Sequence, residues 1–174
     1  GSSDACASYS DNHTHCFSCG KTTQGQEPVA KQVQSQQRSL LKGRPRSIPA
    51  RGLTEETCRK FGYLCTTYKG QAVQLATYRD KHGKPVAQKM RTPDKDFQIF
   101  GDAKAMTFYG SHLWSTGKKL VITEGEIDAM SVSQVQGHKW PVVSLPNGAQ
   151  SAVRAIKANW DYLAGFQEVI FMLD

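Results

Sequence analysis

The chain has 174 residues, a formal net charge of +7 and 39% hydrophobic residues. That is enough apolar side chain for one ordinary domain with a small appendage, and no apolar run approaches the roughly 20 residues of a membrane-spanning helix. The excess of Lys and Arg favours a polyanionic partner, nucleic acid before membrane, because no basic amphipathic helix stands out.

The N-terminal stretch "GSSDACASYSDNHTHC" is polar throughout and unlike a secretion signal. Five cysteines (Cys6, Cys16, Cys19, Cys58 and Cys65) without such a signal point to a reducing compartment, which turns a close pair toward metal rather than disulfide. Cys16 and Cys19 form that pair. "CFSCGK" is a C-x-x-C followed by glycine, the knuckle that wraps zinc with two thiolates. A structural zinc takes four ligands, and Cys6, His13 and His15 fit a ribbon's spacing poorly. A second C-x-x-C is therefore expected upstream of the first residue. A redox pair or two plain surface thiols are the alternatives.

Residues 21–47 are rich in Gln, Lys, Arg and Ser and read as a flexible linker. "LTEETCRKFGY" predicts a short helix, with Thr54 at its N-cap, Glu55 and Glu56 in the first turn and Gly62 at its end. Cys58 and Cys65, on this helix and near a strand start, are expected in the core rather than as ligands. "QAVQLATYR" and "KPVAQKMR" flank "DKHG" and predict an antiparallel hairpin. Alternation puts Lys89 and Arg91 on one strand face. Lys95 follows in a turn and Lys104 a little later, a set that could meet phosphates or remain a solvated face.

After Trp114 the pattern changes. "KKLVIT", "PVVSL" and "EVIFML" are short apolar strands of the kind buried on both faces. Between the last two, Ala152, Val153, Ile156, Trp160 and Leu163 fall on one helical stripe. Alternating strands and helices predict an α/β parallel sheet. Ligands bind such sheets at the carboxyl ends of the strands. Glu124 follows the first strand directly, Gly125 allows a turn, and Glu126 and Asp128 fall in the first turn of the next helix. The third strand also ends in an acid, Asp174. Two neighbouring strands delivering carboxylates to one edge suit Mg²⁺ or Mn²⁺ and phosphoryl transfer. Helix-start acids stabilised by the dipole alone are the plain alternative for Glu126 and Asp128.

Taken together, "DNHTHCFSCGK", "ARGLTEETCRKFGY", "ATYRDKHGKPVAQKMR", "FYGSHLW", "VITEGEIDAM", "PVVSLPNGAQSA" and "FQEVIFMLD" resemble, in one order, the primase half of the primase–helicases of short-tailed phages. More distantly they resemble bacterial primases and the mitochondrial helicase Twinkle. The resemblance implies a Toprim fold from 116 to 174, preceded by a small α+β subdomain from 48 to 115 and a partial zinc ribbon from 1 to 20. It implies a DNA primase making short RNA primers from ribonucleoside triphosphates on single-stranded DNA, in the cytoplasm of an infected bacterium. Glu124 would be the catalytic acid near Mg²⁺, Asp174 the first metal-binding aspartate of a D-x-D, and Glu126 and Asp128 further metal partners. Lys89 and Lys95 would contact nucleotide or template, Cys16 and Cys19 would be two zinc ligands, and His13 would help read the template.

The resemblance also implies a fragment, with the second aspartate, a hexameric helicase and contacts to a replicative DNA polymerase expected beyond Asp174. The rival expectations are another Toprim enzyme, a nuclease or topoisomerase, and a non-catalytic single-strand-binding or regulatory fragment.

Overall fold

The computed structural model of the chain describes residues 6–8, 14–16, 22–23 and 39–173, in two units, Gly1–Gln36 and Gln37–Asp174. In the first unit, β1 (Cys6–Ser8), β2 (Thr14–Cys16) and β3 (Thr22–Thr23) form a small antiparallel sheet in that order, with Cys6 opposite Cys16. His13 and Cys19 lie outside the described residues, and of Cys16 only the backbone is described.

The second unit begins its folded part before Ile48. Gln88 is buried in the sheet, where an unpaired amide would be costly. Its side chain is satisfied by Leu41, whose N–H donates to Oε1 at 2.7 Å and whose carbonyl accepts from Nε2 at 3.1 Å. Residues 39–47, linker by composition, are therefore docked on the sheet. Few bulky side chains were needed, because backbone groups make the attachment.

Helix α1 (Glu55–Phe61) forms as its caps predict. Thr54 Oγ1 accepts from Thr57 N–H, Glu55 pairs with Arg59 one turn on, and Gly62 closes the helix at a φ of 71°. The helix buries Thr57, Cys58 and Phe61. Cys58 and Cys65 are both free thiols, and burial pushes Cys58 up to about 11.

Then β4 (Tyr63–Tyr68), β5 (Gln71–Arg79), β6 (Pro85–Arg91) and β7 (Phe97–Gly101) make a four-stranded antiparallel meander. The predicted hairpin is its inner pair. Asp80 Oδ1 accepts from the N–H groups of His82 and Lys84 to shape the turn. The outer strands were not predicted, since "YLCTTY" is short and mixed and "FQIFG" follows a charged turn.

Strands β8 (Gly117–Thr123), β9 (Val142–Ser144) and β10 (Phe166–Met172) form the predicted parallel sheet in the order β10-β8-β9. Helix α2 (Glu126–Val135) connects β8 to β9, and α3 (Ala152–Ala158) with α4 (Trp160–Leu163) connects β9 to β10. Alternate strand residues serve opposite faces. Val121 and Val142 join a core with Met130 of α2, Phe61 of α1 and Tyr78 of β5. Leu120, Ile122 and Val143 join a second core with Ala155, Leu163 and Phe166. The antiparallel and parallel sheets thus share one hydrophobic core through α1 and α2. An edge bridge reinforces the join, with Tyr109 and Ser144 exchanging N–H···O bonds of 3.0 and 3.1 Å.

Two further expectations are corrected. The 152–163 stripe is two helices, and Val153 and Trp160 are 68% and 66% exposed. Asn159 ends α3, its side-chain N–H donating to Ala155 O at 2.8 Å; Leu163 is buried as expected and Ala152 and Ile156 pack against the core, but Ala155 takes the inward place that Val153 and Trp160 do not. Strand β10 is not buried on both faces, because Phe171 and Met172 are exposed. Among the described residues no helix is long and apolar enough to cross a membrane.

Gly101 closes β7 at a φ of 79°, and a Cβ there would sit 2.3 Å from Val86 O and 2.8 Å from Leu40 Cδ2. Gly101→Ala should therefore cost at least about 2 kcal/mol in urea unfolding, through backbone strain and lost docking of Leu40 together.

His112 is held well below its ordinary value, at about 4, by desolvation and then by Arg79. Because the folded value is depressed, the unfolded chain takes up the proton first. Stability should fall as pH drops from about 6.5 toward about 4, and His112→Gln should flatten that part of the stability–pH curve.

Candidate active site

Glu124 leaves β8 at its carboxyl end and stands half-exposed. The turn behind it is pinned: Thr123 Oγ1 donates to Gly125 O at 3.1 Å, and Gly125 N–H donates to Asp128 Oδ2 at 3.1 Å. Gly125 has an ordinary extended backbone (φ −115°), so φ does not require glycine there, and a side chain would press only on the capping carboxylate of Asp128. A Cβ there would lie 2.8 Å from Asp128 Oδ2.

The three acids of "EGEID" have separate tasks. Asp128 caps α2. Glu126 is buried and accepts hydrogen bonds from the Tyr78 hydroxyl and from Lys89 Nζ, the latter at 2.8 Å. Both donors also reach Pro146 O, at 3.3 and 3.1 Å. The Lys89 and Glu126 side chains are 15% and 11% exposed, so this is a desolvated ion pair. Burial, and then the Glu126 charge, push the Tyr78 hydroxyl far above the ordinary phenol range and keep it a donor.

Glu124 is left facing the open cleft. Among the described residues its Oε1 has only a long contact to Ala149 N–H, 3.5 Å, where the loop after β9 passes close by. Gly148, at a φ of 68°, permits that approach.

The cleft holds about 530 Å³. It is lined by Glu124, Glu126 and Asp128 together with Arg51, Lys89, Arg91 and Phe97, and by Asn147 and Gly148 of the loop after β9. Lys89 and Arg91 share a strand face as alternation predicts, and both lie over the Phe97 ring, 5.3 and 6.0 Å from its centre. Lys95 sits in the Thr92–Asp96 turn and does not line this cleft. Lys104 lines a separate recess of about 310 Å³ that shares Pro146 and Asn147 with the cleft's surroundings. Asp174 lies outside the described residues. Among the described residues no three His, Cys, Asp or Glu side chains converge as a metal cluster.

Arg51, Tyr78, Phe97 and Asn147 were not predicted as site residues. "PNG" at 146–148 was a readable turn signal beside the strand edge. Arg51 and Phe97 come close to Glu124 only through the tertiary fold.

The family described as bacteriophage T7 DNA helicase/primase, N-terminal a+b fold, matches residues 43–101. The crystal structure of the primase fragment of the bacteriophage T7 primase–helicase superposes with a TM-score of 0.76 at 38% identity, covering 100% of this chain and 75% of that one. The chain belongs to the phage T7-type helicase/primase family. The DNA helicase/primase of enterobacteria phage T3 is 40% identical over 190 residues, covering 100% of this chain and 33% of the T3 protein. This chain thus spans about a third of the length of that relative. Primase domains in a phage T7 lagging-strand DNA polymerase structure, bound to an RNA/DNA hybrid and dTTP, match with a TM-score of 0.75 at 40% identity, covering 100% of this chain and 76% of that one. The Escherichia coli primase catalytic core shares the fold alone, with a TM-score of 0.52 at 15% identity over 71% of this chain and 52% of that one.

Within this family member, removing one partner of the Lys89–Glu126 pair leaves a buried charge uncompensated. Lys89→Met alone should cost about 3–5 kcal/mol, and adding Glu126→Gln should recover part of the loss. A double-mutant cycle by chemical denaturation measures the coupling; additive losses would exclude it.

Proposed function

We propose that this chain is the primase part of a phage primase–helicase, with its polymerising site in the cleft at Glu124. The observation that carries the reading is the placement of Glu124, at the carboxyl edge of β8 and in one cleft with Arg51, Lys89 and Arg91. Family membership supplies the chemistry to be tested. On this reading 116–174 is a Toprim fold, and the reaction is template-directed joining of ribonucleoside triphosphates on single-stranded DNA. The 3′-hydroxyl of one nucleotide attacks the α-phosphorus of the next, its proton leaves, and pyrophosphate departs.

Each residue then has a task. Arg91 and Arg51 would hold phosphate charge, and the exposed Phe97 ring would give a base a surface to stack on. Lys89, committed to Glu126, would act on phosphate mainly through its field. The loop 146–149 would set the distance of closest approach to Glu124.

A divalent cation, Mg²⁺ or Mn²⁺, fits the donors at this edge. Glu124 is a hard oxygen ligand without an ion-pair partner among the described residues. Strand β10 pairs Met172 with Thr123, so the chain leaves β10 at the same edge. Glu124 and Asp174 would hold the ion, and Glu126 and Asp128 would support from their own hydrogen bonds. When bound, the metal lowers the pKa of the attacking hydroxyl and neutralises pyrophosphate charge. In the first unit, Cys16 and Cys19 would hold zinc with further ligands, and His13 would help select the template. A helicase and a replicative DNA polymerase are the expected partners, as the descriptions of the relatives indicate.

The test uses the protein extended to its natural ends, with ribonucleotides, Mg²⁺ and single-stranded templates. Short RNA products should form, and Glu124→Gln should reduce them at least about 100-fold while leaving template binding intact. Template binding without synthesis by the complete protein would sink the polymerase reading in favour of a non-catalytic binding fragment.

A further inference from the structure

The segment Lys42–Arg46 is extended and pinned to β4. Arg44 N–H donates to Cys65 O at 3.1 Å, and Cys65 N–H donates to Arg44 O at 2.8 Å. In such a segment successive side chains alternate. Lys42, Arg44 and Arg46 are exposed, while Gly43 and Pro45 are half-buried between them. Gly43 lets the segment lie close, since a Cβ there would sit 3.0 Å from Leu64 Cβ and 3.1 Å from Cys65 O. Strand rise spaces the three cations about 6.7 Å apart, a regular row. None of the three is in an ion pair among the described residues.

The row is continuous with the candidate active site. Lys42, Arg44 and Arg46 line a groove of about 570 Å³ together with Cys65 and Thr66. Cys65 and Thr66 also line the next recess, of about 310 Å³, which reaches Arg51 and Arg91. Arg51 and Arg91 are themselves a wall of the Glu124 cleft. Among the described residues no acid lines either outer recess.

We propose that this row is a track for the sugar–phosphate backbone of a single-stranded nucleic acid, running from the Glu124 cleft out along Lys42–Arg46. The identification of its inner end as a polymerising site rests on the function proposed above. The track itself rests on charge and spacing. Cations distributed over three connected recesses exceed what one nucleoside triphosphate can touch. Their regular repeat suits a polymer with one charge per unit. Among the described residues, the outermost groove offers no large apolar side chain to anchor a protein partner.

The test measures binding of a mixed-sequence single-stranded DNA 20-mer to the full chain by fluorescence anisotropy across a salt series, with EDTA and without nucleotides. Lys42→Gln/Arg44→Gln/Arg46→Gln is compared with the unmodified chain. Losing three phosphate contacts should reduce the slope of log K against log[salt] by about 2 and weaken binding at low salt roughly 100-fold. Lys118→Gln/Lys139→Gln/Lys157→Gln removes the same charge from exposed positions elsewhere and should leave the slope nearly unchanged.

Parallel titrations with a 20-mer of RNA and with ATP identify the occupant. Weakened DNA binding assigns the track to the template, and weakened RNA binding assigns it to the product strand. An equal slope in both triple variants, a loss confined to ATP, or no binding of either oligonucleotide by the unmodified chain overturns the proposal. Failure of the polymerase reading looks different: no primers, with the salt slopes still distinguishing the two triple variants.

Discussion

A buried carboxylate with two donors holds the second unit in its working shape. Glu126 stands at the start of α2, behind the parallel sheet, while Tyr78 and Lys89 come from β5 and β6 of the antiparallel sheet. Placing a lysine and a glutamate out of water is expensive, and the cost is offset only when geometry and additional hydrogen bonds are good. The Tyr78 hydroxyl and the carbonyl of Pro146 supply those additional bonds. One small polar knot therefore fixes the register of one sheet against the other and also sets the position of the loop beside Glu124. The apolar core drives the two sheets together without direction. The knot adds directional contacts in the arrangement that brings Arg51 and Arg91 into one cleft with Glu124.

This changes what the cationic wall is. Lys89 by sequence is one more lysine on a basic strand, yet in the fold its charge is largely used locally. The exposed positive charge of the cleft comes from Arg51 and Arg91, which line it without ion pairs among the described residues. Arginine is the better residue for that role, since its planar fork can hold two phosphate oxygens at once. The separate tasks of Glu124, Glu126 and Asp128 follow the same economy of placement: five consecutive residues cap a helix, anchor a neighbouring sheet and present one carboxylate to solvent.

Much of this was legible in the sequence, and the failures have physical causes. The α1 caps at Thr54 and Gly62, the Asp80 turn and the β8–α2–β9 alternation are local signals, and each was read correctly because local hydrogen bonds decide it. The helix after β9 was misread because periodicity is blind to Asn159, whose side chain competes for the backbone and breaks the stripe. Residues 39–47 were misread because backbone attachment to Gln88 and Cys65 leaves little trace in composition. At the site, Glu124 could be placed from the strand-end rule. The commitment of Glu126 to Tyr78 and Lys89 could not, since those partners are 48 and 37 residues away in sequence and meet only through the shared core.

The two cysteines of the second unit carry one more consequence. Cys58 is sealed in the shared core, and burial also raises the Cys65 thiol beside β4. Only the thiolate reacts readily with electrophiles and oxidants, and at neutral pH both groups keep their protons. Neither thiol of the second unit is accordingly poised to react with an electrophile at neutral pH.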